Sequence, residues 1–275
     1  MISLKIENLK LNNYLINIDF SNQQAVAIWA SDIKIVGEFF SIIAGINKNN
    51  NTCFYYEKDV FDNKEYFQSR VYFDFRKRYL SSLKLNYLEE RFRQKYNIVF
   101  NKNEFRKVSE ILDIRGETEV SNVCSYTKTG NTFVNYALTR SLEKSNIIIN
   151  NPTINLSIKT DIDIIASGLT DKSKYNMIIL GPDNLSAFND KLDKIIFFSD
   201  FNNGTIMADN KDSLIVVKGV PEGSFNNENI IYRNDEKTIL LNKLTRSELK
   251  NLQKKGQLEI ISVYQIDEYV LRSDP

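Results

Sequence analysis

Histidine is absent from this 275-residue chain. That excludes Ser–His–Asp and Cys–His catalysis, and any metal site built on imidazole. Cysteine is scarce. With only Cys53 and Cys124 there is neither a disulfide framework nor a zinc cluster to expect, and a reduced cytosolic setting is the default. Charge of one sign is not in excess. The 36 basic and 35 acidic residues leave a formal net charge of +1, which gives no electrostatic case for nucleic acid or an anionic membrane. No apolar run approaches the length of a membrane span, and the first residues lack the charged-then-apolar pattern of a secretion signal.

What is present suits a folded α/β protein. Hydrophobic residues make up 42% of the chain, enough to fill a sizeable core in one large domain or one domain with a small extension. Frequent Asn, Ile and Lys point to an AT-rich genome. Leu4 to Leu9 largely alternates like an edge strand, and Ile16 to Phe20 is a strand that could pair with it. Ala25 to Trp29 is a continuous apolar run, the pattern of a buried central strand, and Phe39 to Ile46 is spaced as a helix ending at Gly45. Residues 53–75 alternate strand-like pieces with polar turns. Tyr79 to Asp113 and Phe133 to Glu143 read as helices, and 147–149 as another buried strand expected beside the first. Met177 to Leu180 reads as a strand, Leu185 to Leu192 as a helix, and Lys194 to Phe198 as a strand. Beyond residue 211 the pattern changes to short strands at 214–217, 229–232 and 238–241. A helix at Thr245 to Lys255 carries the capping pair Thr245 and Glu248, and a strand (Leu258 to Val263) and a last short helix (Ile266 to Leu271) close the chain. The expected division is therefore 1–211 as the main domain, with a helical subdomain at about 76–140, and 212–275 as a small α+β extension.

Four local patterns carry chemistry. Ala25 to Gly45 is a strand, a loop and a helix, with Lys34, Val36, Gly37 and Glu38 where the loop turns into the helix. A plain strand-to-helix turn is the simpler reading of it. Val71 to Phe75 is a strand leading to Arg76-Lys77-Arg78-Tyr79. Lys128-Thr129-Gly130-Asn131-Thr132 precedes Ala137-Leu138-Thr139-Arg140-Ser141-Leu142, and an ordinary Thr-capped helix would look the same. Ile147-Ile148-Ile149-Asn150-Asn151-Pro152-Thr153 is an apolar strand ending in two neutral amides, followed by Ile154 to Ser157 and then by Met177 to Leu185.

In this order and spacing the four patterns resemble the ATPases of the ATP-binding-cassette (ABC) type. The match runs over about residues 1–210 and more loosely over 211–275, and Ile266 to Leu271 resembles the closing helix of subunits that drive drug, lantibiotic or bacteriocin exporters in bacteria. The resemblance implies an ABC-type P-loop NTPase-like fold with a mixed sheet. It places Ala30 at the first glycine of the phosphate loop, Val36 at its lysine, and Gly37 and Glu38 at its Ser/Thr pair. Phe75 falls at the glutamine of the next loop. Thr129, Gly130, Asn131 and Thr132 fall on the Ser-Gly-Gly-Gln of the signature. Asn150 and Asn151 stand at the metal Asp and the catalytic Glu, Ser157 at a later Asp, and Asp183 at the switch histidine.

Phosphoryl transfer needs a metal, a positive clamp and a positioned water. Asn has nearly the shape of Asp but no charge. These replacements imply an inactive subunit, not an enzyme, with no cofactor and with ATP binding weak or absent. The expected partners are an active ABC ATPase subunit and a membrane permease, with a homodimer as an alternative, and the expected place is the inner face of the membrane. Tyr72, Phe75, Arg76, Arg78 and Tyr79 form the expected permease-facing surface, with the alternative that the aromatics among them fill the core of the helical subdomain. Two other classes stand beside this reading: a cytosolic interaction or immunity protein without a transporter, and an enzyme with residual nucleotide chemistry that uses Lys34.

Overall fold

A computed structural model describes residues 2–30, 32–48, 52–80, 85–112, 127–188, 190–199, 203–209, 212–218, 230–233, 237–242, 245–254 and 259–265. Three sheets organise them. The first is antiparallel, in the order β2 (Tyr14–Ser21), β1 (Ile2–Leu11), β4 (Cys53–Tyr55), β5 (Lys58–Asp59). The central sheet has six strands: β10 (Gly204–Asp209), β9 (Lys194–Ser199), β3 (Gln24–Trp29), β8 (Met177–Gly181), β7 (Asn146–Asn150) and β6 (Arg70–Asp74). All its neighbours are parallel except β10, which runs antiparallel to β9. The third is antiparallel, in the order β12 (Ile230–Arg233), β13 (Lys237–Asn242), β11 (Ser213–Lys218), β14 (Ile260–Gln265).

The apolar runs explain the layering. Strands β7 and β8 are buried at every position, as parallel strands covered on both faces must be. Alternate residues then serve opposite layers. Val26, Ile28, Ile148 and Ile179 face α1 (Ile33–Ile43) and the first sheet. Ala25, Ala27, Ile147, Ile149 and Ile178 face α5 (Lys128–Ser141) and α6 (Lys159–Leu169). The third sheet is not a separate core. Leu214, Val216, Ile231, Ile239 and Leu241 join the core cluster that also holds Ile195 and Phe197 of β9, and Ser199 Oγ donates to the Ile230 carbonyl at 2.8 Å. Its other face packs Ile215, Val217 and Leu240 against Leu249 of α7 (Arg246–Lys254).

Several sequence expectations shift. Strand 147–149 lies in the same sheet as β3 but not beside it: β8 intervenes, pairing Ile179 with Val26 on one side and with Ile148 on the other. Periodicity reports that a strand is buried and says nothing of its neighbour. The first helix starts at Ile33, six residues before Phe39, because Asp32 caps it. Gly45 does end it, at φ +66°, where a Cβ would lie 2.8 Å from the Val60 carbonyl oxygen. The stretch from Tyr79 to Asp113 is not one helix. α3 (Leu85–Tyr96) stops before Asn97, which has φ +50°, and Asn101 caps α4 (Lys102–Ile111). α2 (Lys64–Ser69) and α6 were not foreseen, and Leu185–Phe188 is a single 3₁₀ turn rather than a helix to Leu192. The closing helix at Ile266 to Leu271 lies outside the described residues, as does Cys124.

Candidate functional site

In a parallel sheet, ligand chemistry gathers at the carboxyl ends of the strands. Here those ends are Trp29 of β3, Asp74 of β6, Asn150 of β7, Gly181 of β8 and Ser199 of β9.

The loop after β3 feeds directly into α1. Asp32 Oδ1 accepts the Lys34 backbone N–H at 2.8 Å, and its carbonyl accepts from Ile35 at 3.1 Å. The positive end of the helix therefore faces a carboxylate of its own chain. Ala30 is buried and Val36 is inserted into the core beside Ile35, Phe39 and Phe40. The side chains of Lys34 and Glu38 are exposed.

A second polar group lies beneath the first turns of α1. Arg76 grips Asp74 with Nε at 3.0 and 3.2 Å from its two oxygens and Nη2 at 2.6 Å from Oδ2. Asp74 is 3% exposed and Arg76 40%. Asn150 Nδ2 and Asn151 Nδ2 each donate to an Asp74 oxygen at 3.4 Å. Burial pushes the Asp74 carboxyl up, but the bonds from Arg76 and Asn151 outweigh it and hold the group below the usual carboxylate range. The guanidinium also reaches α1: a Cβ built on Gly37 would stand 3.6 Å from Asn150 Nδ2 and 3.8 Å from Arg76 Nη2. The Oδ1 atoms of Asn150 and Asn151 are buried without a hydrogen-bond partner among the described residues. Gly181 closes over this group. Its missing Cβ would sit 2.6 Å from Asn150 Oδ1 and 2.9 Å from Val36 Cγ1.

The start of α5 is bound to the same region. Thr127 Oγ1 caps it by accepting the Gly130 N–H at 3.0 Å. Thr129 Oγ1 donates to the Asn155 carbonyl at 2.9 Å and Thr132 Oγ1 to the Ile154 carbonyl at 2.6 Å. Asn131 Nδ2 donates to the Phe75 carbonyl at 2.8 Å, and Asn135 Nδ2 to the Lys77 carbonyl at 2.9 Å. Asp183 Oδ1 accepts from the Thr153 N–H at 3.1 Å and from its hydroxyl at 2.9 Å, so the position after β8 is tied to the turn after β7.

The positions singled out in the sequence are thus brought together at one end of the sheet: Ala30, Val36 and Gly37 from the first pattern, Asn150 and Asn151 from the fourth, and Asp183 beside them. Two readings need correction. Phe75 is 0% exposed and belongs to the core, so it forms no part of a docking surface. Arg76 is not simply a surface charge, because its head is committed to Asp74. Tyr79 is half-buried, its hydroxyl accepting the Asp74 N–H at 2.8 Å, and burial pushes its phenol up to about 12. Tyr72 is also half-buried, while Arg78 is exposed. Sequence reasoning missed Asp32 and Asp74. A helix-cap signal marks Asp32, an acidic residue directly before an apolar-periodic stretch. Asp74 carries no such signal, since two of its partners, Asn150 and Asn151, come from a segment more than 70 residues away.

Comparison with solved structures gives the architecture. One match, described as the cobalt-transport ATP-binding protein cbiO-2 (ST1066), has a TM-score of 0.64 at 14% identity, covering 88% of this chain and 93% of that one. CbiO1 from Clostridium perfringens, part of the ABC transporter complex cbiONQ, gives 0.53 at 14% identity over 71% and 84%. The ATP-binding cassette MJ0796, solved as a dimer in a post-hydrolysis state with ADP and Pi, gives 0.57 at 15% identity over 75% and 98%. No protein-family model matches the sequence, and neither does any curated protein. From the sheet order, the capped helix after β3 and these superpositions, the chain has the fold of the ATP-binding subunits of ABC transporters.

Proposed function

We propose that this chain is a non-hydrolysing ABC-type subunit, the docking or regulatory half of a membrane transporter paired with an active ATPase and a permease. The observation that carries the reading is that the charges of the phosphate site are already neutralised from within. Asp32 lies at the positive end of α1, where a phosphate would otherwise sit. The Arg76 guanidinium fills the space between Asp74 and α1, where a metal and its phosphate ligands would be needed. Val36 brings no charge, Gly37 no hydroxyl, and Asn150 and Asn151 no carboxylate. These residues do not fit a magnesium–nucleotide complex, and no hydrolytic step is derived through one. Losing a single charge-stabilising group typically costs about 10²–10³-fold in rate, so several losses together leave no useful turnover.

The α5 start supports the same reading, because the Thr129 hydroxyl and the Asn131 amide serve this chain's own turns rather than an incoming phosphate. Assembly with a permease and a second subunit is carried over from the neighbours: cbiO1 is part of a transporter complex, and MJ0796 is a dimer. No helix among the described residues is long and apolar enough to cross a membrane. The proposed place, peripheral on the cytoplasmic side, rests on the proposed docking to a permease. The test is affinity purification of the full chain from its native membranes. The proposal requires an identified permease together with an intact ATPase. Recovery of neither, from membranes that contain both, refutes the transporter role and favours a cytosolic interaction protein.

A further inference from the structure

Arg70 and Lys144 lie at the amino ends of β6 and β7, the opposite ends of these strands from Asp74 and Asn150. Arg70 opens β6 in register with Asn146, and Lys144 stands two residues before Asn146. The Lys144 ammonium donates to the carbonyl of Gln68, two residues before Arg70, so the two cations share one corner. Among the described residues neither makes an ion pair. Asp74 is taken by Arg76 at the far end of β6, and Glu65 and Glu143 are exposed and pair with neither. Tyr66 is no substitute. Its hydroxyl donates to the Ile43 carbonyl at 2.7 Å and burial pushes its pKa up, so it stays a neutral phenol. Burial holds both cations below their usual pKa, Arg70 lowers Lys144 further, and no carboxylate opposes either effect.

Part of Arg70 has an evident packing role. Its guanidinium carbon lies 4.9 Å from the ring centre of Phe67 and 5.8 Å from that of Tyr66. The rings meet its charge but not its N–H groups. Its side chain donates no hydrogen bond to any described residue, and Nε is buried. A guanidinium has five N–H hydrogens, and buried ones are ordinarily bonded. Two like charges drawn together out of water are unfavourable unless an anion offsets them.

We infer that Arg70 and Lys144 form a binding site for a phosphate dianion, either inorganic phosphate or the monoester end of a small soluble molecule. Phosphate fits better than a carboxylate. A dianion offsets both charges, whereas a carboxylate leaves one. The Arg70 fork matches two phosphate oxygens at once, and the Lys144 ammonium, with two hydrogens unused among the described residues, serves as a point charge for a third. Arg70 is half-buried rather than sealed, so an ion can reach it. The frame around the pair is already set. Asn146 Nδ2 donates to Ser69 Oγ at 3.0 Å and to the Tyr55 hydroxyl at 3.2 Å, and Ser145 Oγ donates to the Ser69 carbonyl at 3.4 Å. Little ordering remains to be done on binding. This site lies apart from the region around Asn150 and stands whether or not the chain joins a transporter.

The experiment titrates the full chain with inorganic phosphate at about pH 8, where phosphate is a dianion, against acetate at matched ionic strength. Calorimetry should give one site with a Kd of about 1 mM or tighter, and acetate should bind at least about tenfold more weakly. Phosphate at about 10 mM should raise Tm by at least about 2 °C. Arg70→Gln should weaken phosphate binding at least about tenfold and abolish that rise. Arg70→Lys keeps the charge and loses the fork, so it too should weaken binding, and it serves as the test if the first variant does not fold. A purely packing role for Arg70 would leave Tm indifferent to phosphate. No binding at about 10 mM phosphate, equal binding of acetate, or unchanged binding by the variants overturns the inference. Glycerol 3-phosphate separates the two sources. Tighter binding than inorganic phosphate supports a monoester ligand, and weaker binding supports the free ion.

Discussion

Placing acids at Asn150 and Asn151, as the resemblance to ABC ATPases would have it, should damage this protein, and Asn150→Asp shows why. Asn150 is 0% exposed, and its Nδ2 donates to Asp74 Oδ2 at 3.4 Å. The substitution removes that donor and sets a second negative charge against Asp74. Two unit charges about 4 Å apart at an effective dielectric of about 20 repel by about 4 kcal/mol. Arg76 returns part of this, but its Nε and Nη2 are already engaged with Asp74. A net loss of about 2–4 kcal/mol at neutral pH is expected, in the range for burying an unpaired charge. The sign with pH follows from linkage. The introduced carboxyl has a folded pKa above its unfolded value of about 3.9, so its penalty grows as pH rises above that value and fades on acidification. Asp74 in the natural chain behaves oppositely. Its folded pKa is depressed, so its contribution is present above the unfolded pKa and lost as pH falls through the folded one. Urea unfolding at about pH 7 and about pH 5 should therefore show a large gap between variant and natural chain that narrows at the lower pH. A variant as stable as the natural chain at neutral pH would refute the reasoning. So would magnesium-dependent ATP turnover by Asn150→Asp with Asn151→Glu.

Other outcomes follow from the same contacts. Gly181→Ala should cost about 1–3 kcal/mol in urea unfolding, because the new Cβ would meet Asn150 Oδ1 at 2.6 Å. Gly37→Ala has 3.6 Å of clearance and should be neutral or stabilising by up to about 1 kcal/mol, as expected for a helical glycine. Asp32→Ala removes the cap of α1 and should lower stability by about 0.5–2 kcal/mol. The two arginines should separate in thermal melts. Arg76→Gln strips a buried carboxylate of its main partner and should cost about 1–3 kcal/mol, whereas exposed Arg78→Gln should stay within about 0.5 kcal/mol of the natural chain.

The parts of this molecule that were legible in the sequence are those where one segment decides its own fate. Ala25 to Trp29, 147–149 and Ile195 to Phe198 are apolar without alternation, and each lies in a buried strand. The Thr245 and Glu248 pair marked the start of α7, and the Glu248 carboxylate does accept the Thr245 N–H at 2.7 Å. Strand order was not legible, since β8 is as apolar as the strands it separates. The length of α1 was misread because helical spacing was counted from Phe39 while the cap sat at Asp32. At the site, the family spacing located Val36, Gly37, Asn150 and Asn151 in one place. It gave no hint that Asp74 and Arg76 join them, because that group forms only when β6 and β7 lie side by side, pairing Asp74 with Asn150. Phe75 illustrates the reverse error: an aromatic next to arginines reads as surface, and packing makes it core.

The proposal that this phosphate site is filled by the chain's own charges is tested most directly by calorimetric titration of the purified protein with ATP, with and without magnesium. With Asp32 at the head of α1 and Arg76 committed to Asp74, the account predicts no micromolar binding and no difference on adding magnesium. Micromolar, magnesium-dependent affinity would contradict it.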